Sequence, residues 1–285
     1  MTAYRIEQKD IEMLRSSGMN ETDLTHSLRV AEKALGIAAR TGAALDMELV
    51  GRGALFHDLG KITTHEISHG RIGAEMGQIM GLPAAITAIM EKHIRGGLTA
   101  AEAAELGLPV KDYTLHRLEE RIVIYADRLI DIIHDGIVAI GEEPEAEERF
   151  AEILRAYPKY GKNEATLRRY LAYHEEIQGL IAGRLIDADQ LRKLLERGDV
   201  TVIDVRRRAD YEASPGKIPG ALRRDPEKVD EWHADLADNI RSVIYCVRGG
   251  SVSQSTASRL RAKGIAVAVL HGGLQAWTDK GGALD

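Results

Sequence analysis

His57 and Asp58 stand side by side at the end of the apolar run Ala54-Leu55-Phe56, and Leu59-Gly60-Lys61 follow. Imidazole and carboxylate together suit a divalent transition metal, and a nearby lysine suits a phosphate-bearing substrate. Other residues of the same chemistry follow in order. His26 precedes the pair. His69 opens His69-Gly70-Arg71-Ile72-Gly73-Ala74-Glu75, and His93 precedes Ile94-Arg95-Gly96-Gly97. Asp127 lies in Tyr125-Ala126-Asp127-Arg128-Leu129, an apolar setting with no other reason to bury a carboxylate. Far along the chain, the single cysteine, Cys246, ends Val243-Ile244-Tyr245 and precedes Val247-Arg248-Gly249-Gly250-Ser251-Val252. A thiolate in a loop entering a helix faces backbone N–H groups and the positive end of the helix dipole, an anion cradle. That setting suits a cysteine that attacks sulfur or holds a persulfide.

These residues need elements to position them. Up to about residue 180 the apolar periodicity is helical. Residues 21–40 carry Leu24, Leu28, Ala31 and Leu35 as one stripe. Residues 46–57 form a second helix, stopped at Gly60, and residues 73–80 a third. Pro83 stands where a first-turn proline opens the next, which runs to His93. Residues 118–133 form a long apolar helix and 164–181 a last amphipathic one. The acidic run 142–148 reads as a loop or an exposed helix start. Nothing before residue 199 alternates like a strand. The pattern then changes: residues 200–205, 243–246 and 266–270 are short and β-branched, and helices at 188–196, 253–263 and 274–280 separate them. Strand–helix alternation implies a parallel sheet. The fold class is therefore multi-domain, an all-α domain over 1–183 and an α/β domain over 184–285.

Composition narrows the function classes. The chain has 285 residues, 44% of them hydrophobic, enough for two cores. A net charge of −6 argues against binding duplex DNA broadly through a basic face. Arg206-Arg207-Arg208 reads as a solvated face. No apolar run is long enough to cross a bilayer, and the first residues lack a signal peptide's apolar stretch, so a cytoplasmic protein is expected. One cysteine excludes an intrachain disulfide. Of the ten histidines, His116, His134, His174 and His233 read as surface or hydrogen-bonded residues. His65 reads as a neighbour of the metal ligands, a phosphate contact, or neither.

The ordered series His26, His57-Asp58 and Asp127 resembles the H…HD…D signature of HD-domain metal-dependent phosphohydrolases, over roughly the first 170 residues. The added His69 and His93 resemble the dinuclear branch, which includes HD-type diadenosine tetraphosphatases, and a group of archaeal HD proteins. The resemblance implies one or two divalent ions (Fe, Mn, Zn or Ni), with Asp58 as the bridging carboxylate. His26, His57 and Asp127 would complete one ion, and His69 and His93 would hold the other. Lys61 and Arg95 would place positive charge beside a phosphate, and the implied substrate is a small phosphate compound, a nucleotide above all.

The second half resembles a rhodanese domain. The matching pieces are Val202-Ile203-Asp204-Val205-Arg206, Tyr211-Glu212, Ile218-Pro219-Gly220-Ala221, Val243-Ile244-Tyr245-Cys246, and Val269-Leu270-His271-Gly272-Gly273-Leu274-Gln275-Ala276-Trp277. By resemblance, Cys246 is the sulfur-accepting nucleophile, Arg248, Gly249, Gly250 and Ser251 belong to the loop around its persulfide, and a sulfur donor and acceptor are partners. Many rhodaneses carry arginine five residues after the cysteine, where this chain has Ser251. That departure disfavours thiosulfate as donor. Dual-specificity phosphatases place arginine one residue later, at Val252 here, so a cysteine-phosphatase chemistry is not expected.

The implied function is a phosphohydrolase fused to a sulfurtransferase. Two alternatives stay open: a sulfurtransferase regulated by a nucleotide-sensing helical domain, and a docking module with an inactive rhodanese fold.

Overall fold

The computed structural model describes residues 4–236 and 241–285. The chain divides into two compact units, one of residues 1–40 and 45–177, the other of residues 41–44 and 178–285.

The first unit is helical. Its central helix, Leu118–His134, buries Ile122, Val123, Ile124, Tyr125, Ala126, Leu129 and Ile132 completely, so it is apolar nearly all round. Such a helix lies inside its unit and carries Asp127 with it. Met47–Phe56 packs against it, and the Glu21–Thr41 helix meets it where His26 lies 3.1 Å from Asp127. The Glu21–Thr41 helix buries Leu24, Ser27, Val30, Ala31, Ala34, Ile37 and Ala38, whereas Leu28 and Leu35 are half-buried. Of the expected stripe Leu24 and Ala31 are fully buried and Leu28 and Leu35 only half so, the buried face turning instead toward Ser27, Ala34 and Ile37.

Several ends differ from the periodicity reading. Asp46 caps Met47–Phe56 by accepting a hydrogen bond from the Leu49 amide at 3.0 Å. The third helix begins at His69, a turn before residue 73, and runs to Ile79. Its glycines, Gly70 and Gly73, hide its start from propensity. Pro83 takes the N-cap of Ala84–Lys92, not its first turn, and the acidic run forms the helix Glu143–Glu148. The Glu164–Ile181 helix has the expected limits.

The second unit contains a five-stranded parallel sheet: β1 Leu185–Ile186, β2 Val200–Asp204, β3 Leu222–Arg223, β4 Arg241–Tyr245 and β5 Val267–Leu270. Their order is β1-β5-β4-β2-β3. The fold class is the expected one, with two strands added. β1 and β3 have two residues each, too few to display a period, and β1 overturns the expectation of no strand before residue 199. β4 lies between β5 and β2, with Val243, Ile244 and Tyr245 fully buried. The chain leaves it at Cys246, at the carboxyl end of the strands, where open parallel sheets present their ligand crevices.

Arg206 is not on a solvated face. Its side chain is buried against Asp204, with Nε donating to Oδ1 at 3.0 Å and Nη2 to Oδ2 at 2.5 Å. It also donates to the Ser214 and Gly216 carbonyls at 2.7 and 3.0 Å and stacks over Tyr211 at 5.0 Å. Asp204 and Arg206 thereby pin the chain after β2 to the segment leading to β3. Arg206→Met leaves Asp204 buried and unpaired. It is expected to destabilise this unit by about 3–5 kcal/mol, read as a lower urea midpoint for the loss of its circular-dichroism signal. An unchanged midpoint would mean the pair is not structural.

Candidate metal centre and cysteine loop

Three histidines of the first unit share one local device. His57, His69 and His93 each turn Nδ1 onto the backbone carbonyl three residues earlier, at Ala54 (2.6 Å), Glu66 (2.6 Å) and Met90 (2.7 Å). A carbonyl only accepts, so Nδ1 carries a proton and Nε2 is the atom that each ring turns inward. Two of these residues, His57 and His93, are helix C-caps, where the last turn's carbonyl is within reach.

The Nε2 atoms converge on Asp58. Its Oδ1 lies 3.3 Å from His69 Nε2 and 3.5 Å from His93 Nε2. Its Oδ2 lies 3.2 Å from His57 Nε2 and 3.6 Å from His26 Nε2. Asp127 Oδ1 closes the second group, 3.1 Å from His26 Nε2 and 3.5 Å from His57 Nε2. All six sequence-derived ligand candidates therefore meet in one place, and each carboxylate oxygen of Asp58 faces its own pair of imidazoles. Among the described residues, His26, Asp127 and Asp131 form a further cluster with metal-ligand spacing. Asp131 escaped the sequence reading, although its i+4 relation to Asp127 puts both on one helix face.

The electrostatics match a site built for cations. Burial alone would deprotonate His57, but Asp58 and Asp127 outweigh it and hold the imidazole up to about 10. Burial opposes ionisation of Asp58 and Asp127 too, yet the surrounding histidines hold both well below the usual carboxylate range. His93 moves the other way, lowered by burial and by the neighbouring imidazoles. Lys61 Nζ lies 2.5 Å from Asp58 Oδ2, as an ion pair off hydrogen-bond alignment. Burial pulls Lys61 down, and Asp58 more than restores its charge. Two buried carboxylates need positive charge beside them. The buried His57 Nε2 and Asp58 Oδ2 lack hydrogen-bond partners, and an N/O donor set of this kind fits divalent first-row metals.

Glycine makes the convergence possible. A Cβ at Gly60 would run into the His69 carbonyl oxygen and the Gly73 amide, so the Leu59–Ile62 turn and the His69–Ile79 helix touch backbone to backbone. Gly60→Ala must push His69 away from Asp58. Its expected cost is about 1–3 kcal/mol, together with loss of the metal equivalent held by His69 and His93. Elemental analysis and a melting curve read the two effects, and a variant with parental values in both would refute this account.

Other sequence-derived residues fall at different places. Arg95 follows His93 in a turn where Arg95, Gly96 and Gly97 all have positive φ, and its side chain is half-buried. His65 is exposed, 3.9 Å from Asp23. His174 accepts or donates at 2.9 Å with Tyr125 Oη and stacks on Phe150, an internal hydrogen-bonded histidine.

In the second unit, Cys246 is buried, with Sγ 3.2 Å from Ser253 Oγ. Ser253 Oγ lies equally 3.2 Å from the Gly250 carbonyl, so its single proton turns to that carbonyl or, when Cys246 is ionised, to Sγ. Gly249, Gly250 and Ser251 lead into the helix Ser251–Ala262, which starts two residues before the expected residue 253. The amides of Leu274 and Gln275 donate to the Cys246 and Val247 carbonyls at 2.9 and 3.0 Å, so the Gly273–Asp279 helix clamps the loop from behind. A Cβ at Gly273 would strike the Cys246 carbonyl, which explains Gly272-Gly273. Arg248 is exposed at the loop's outer edge. Ser253, missed by the sequence reading, carries no signal beyond standing seven residues after the cysteine.

Comparison with known proteins agrees with this division. Residues 23–130 match the HD domain family model and residues 187–280 the rhodanese-like domain model. An uncharacterized protein of Methanocaldococcus jannaschii is 36% identical over 166 residues, 57% of this chain and 91% of that protein. A tRNA (cytidine(56)-2'-O)-methyltransferase of Thermoplasma volcanium is 37% identical over 123 residues, 43% of this chain but 36% of the methyltransferase. A rhodanese-related protein of Thermoplasma volcanium, of known structure, is 24% identical and covers 36% of this chain and 97% of its own, with a TM-score of 0.32. Among the described residues no helix is long and apolar enough to cross a membrane. With the ordered histidines and aspartates drawn to one point in its helical unit, this chain belongs to the HD-domain family and carries a rhodanese-like domain in its C-terminal part.

Proposed function

We propose that residues 1–183 form a metal-dependent phosphohydrolase acting on a nucleotide or related phosphate ester or anhydride, and that residues 184–285 form a sulfurtransferase working through Cys246. The observation that carries the first half is Asp58, whose two oxygens each face a separate pair of imidazole Nε2 atoms. His26, His57 and Asp127 would hold one divalent ion (Fe, Mn, Zn or Ni), His69 and His93 the other, and Asp58 both. Bound there, such ions supply Lewis acidity toward a phosphoryl group. The chain's own residues do the rest. The Ala54, Glu66 and Met90 carbonyls keep three imidazoles in one tautomer and orientation. Lys61, kept protonated by Asp58, offers an ammonium to a phosphate oxygen, and Arg95 offers a second cation. In the second half, Cys246 attacks a donor's outer sulfur. The donor's S–S bond breaks, its remaining thiolate leaves, and Cys246 keeps one added sulfur, with Arg248, Gly249, Gly250 and Ser251 around it.

Elemental analysis of the purified protein, coupled to a screen of mono-, di- and triphosphate nucleotides and dinucleoside polyphosphates, tests the first half. About two first-row ions per chain and turnover of at least one substrate are expected. A protein that takes up no metal and cleaves none of them with added Mn, Fe, Zn or Ni would end this reading.

A further inference from the structure

Glycines inside the long helices of this chain have a packing reason, with one exception. A Cβ at Gly51, Gly53, Gly70, Gly73, Gly77 or Gly179 would come within 3.1 Å of atoms from another segment. A Cβ at Gly36, well inside the Glu21–Thr41 helix, would meet nothing within 4 Å. Gly36 has no positive φ either. Neither packing nor backbone conformation therefore asks for glycine there, although glycine weakens a helix interior relative to alanine. What glycine does give is bare backbone that another molecule can approach closely.

Gly36 lines a cleft of about 630 Å³, a volume in the range of small-molecule sites. Arg29 and Glu32 of the same helix line it too, as do the buried Ile37 and Ile130. The Glu143–Glu148 helix brings Pro144 to the cleft. That helix is anchored by the fully buried Ala146 and tied to the Glu21–Thr41 helix by two ion pairs. Lys33 holds Glu143, and Arg40 donates to both Glu147 oxygens at 2.7 and 2.9 Å. The cleft is thus a braced feature of the helical unit. Arg29 and Glu32, by contrast, form no hydrogen bond or ion pair among the described residues. Their order along the helix matters. Arg29 stands one turn beyond His26, Glu32 three residues further, and Gly36 about 10 Å along the axis from Arg29.

Each open group asks for a different chemistry. The bare backbone at Gly36 takes the face of a flat ring, with Pro144 and the edges of Ile37 and Ile130 as its apolar company. The Glu32 carboxylate accepts hydrogen bonds from hydroxyls. The free Arg29 guanidinium meets an anion. A ring, a hydroxylated linker and an anionic end, in that order, describe a nucleoside and the group on its 5′ carbon. We propose that this cleft is a nucleoside-binding site, with the base on Gly36 and the ribose hydroxyls at Glu32. The nucleoside is the organic part of the phosphate substrate or a free effector, and the recognition chemistry is the same for both. The cleft is lined by none of the metal ligands, so its occupancy does not require the hydrolase reading.

Titration calorimetry of the full chain with adenosine, guanosine, cytidine and uridine tests this. At least one should bind with a Kd of about 1 mM or tighter. Gly36→Ala and Gly36→Leu put a methyl and an isobutyl group where the base lies, and both residues favour a helix. They should raise the melting temperature by about 1–4 °C. Alanine should weaken the nucleoside by about ten-fold, and leucine should abolish its binding. Glu32→Gln should weaken a ribonucleoside by about five- to ten-fold and its 2′,3′-dideoxy form by less than about two-fold. Affinity within about two-fold of wild type in both Gly36 variants overturns the site, as does a wild type that binds none of the four. A lowered melting temperature in Gly36→Ala overturns it too, because the glycine then serves the fold. Metal-loaded protein separates the two sources. Competition by the nucleoside against a hydrolysed phosphate compound makes it the substrate's own, and an unchanged KM makes it a free ligand. Nucleoside binding of the expected pattern with no phosphate ester cleaved leaves the cleft standing and removes the hydrolase.

Discussion

Asp58→Ala should empty the metal centre of both ions and lower phosphate-ester hydrolysis by on the order of 10³-fold or more, since even residues that merely support a metal ligand are worth 10–100-fold. The size of the effect comes from sharing. Oδ1 faces His69 and His93, and Oδ2 faces His26 and His57, at 3.2–3.6 Å. No other carboxylate among the described residues stands within reach of both histidine pairs. Asp127 touches the His26–His57 side alone, so Asp127→Ala should remove one metal equivalent where Asp58→Ala removes two. The variant should still fold. The three histidines are held by backbone carbonyls, not by Asp58, and burial of an uncharged His57 costs less once the acid beside it is gone. Elemental analysis, hydrolysis rates and far-ultraviolet circular dichroism on the same preparations decide the matter. Parental metal content and rate in Asp58→Ala would sink the shared-carboxylate site.

Much of this centre is legible in sequence because its chemistry is unusual for its surroundings. Asp127 sits among consecutive fully buried apolar residues, and a carboxylate there needs a cation. His57-Asp58 ends a helix whose other face is apolar, so the pair has to lie where the helix meets its neighbours. Less legible are features that depend on three-dimensional approach. Gly60 reads as a helix stop, but its physical role is backbone contact with His69 and Gly73, residues on another element. Leu28 and Leu35 match a leucine pattern at least as well as Ala34 and Ile37, yet the latter pair is fully buried and the two leucines only half so. β1 and β3 are fixed by pairing with β5 and β2, and two residues carry no alternation to read. Arg206 looks like its exposed neighbours Arg207 and Arg208, since a run of three identical side chains gives no cue to which one turns inward.

Cys246→Ser should abolish sulfur loading altogether. As the chain's single cysteine, Cys246 is the one thiol able to take up sulfane sulfur, so any mass gain of one sulfur atom on the intact protein reports on it alone. The loop supports the product in two ways. Cys246 stands where β4 hands over to the Ser251–Ala262 helix, whose first amides and dipole favour an anion on the terminal sulfur. The clamp from the Gly273–Asp279 helix fixes the Cys246 and Val247 carbonyls away from that anion. The loop's charge is sparse, however: Ser251 and Val252 occupy the places where related loops carry arginine, and Arg248 is exposed. A small organic persulfide should therefore load Cys246 faster than the dianion thiosulfate, which needs more cationic neighbours. Ser253→Ala, which removes the hydroxyl 3.2 Å from Sγ, should slow loading by about ten-fold without preventing it, the loss of one hydrogen bond to a charged group. Intact-protein mass spectrometry after incubation with each donor, followed by release of the added sulfur to cyanide, measures all three. Equal sulfur gain in Cys246→Ser and the parent would remove the sulfurtransferase from this chain, and faster loading from thiosulfate than from the organic persulfide would overturn the reading of Ser251.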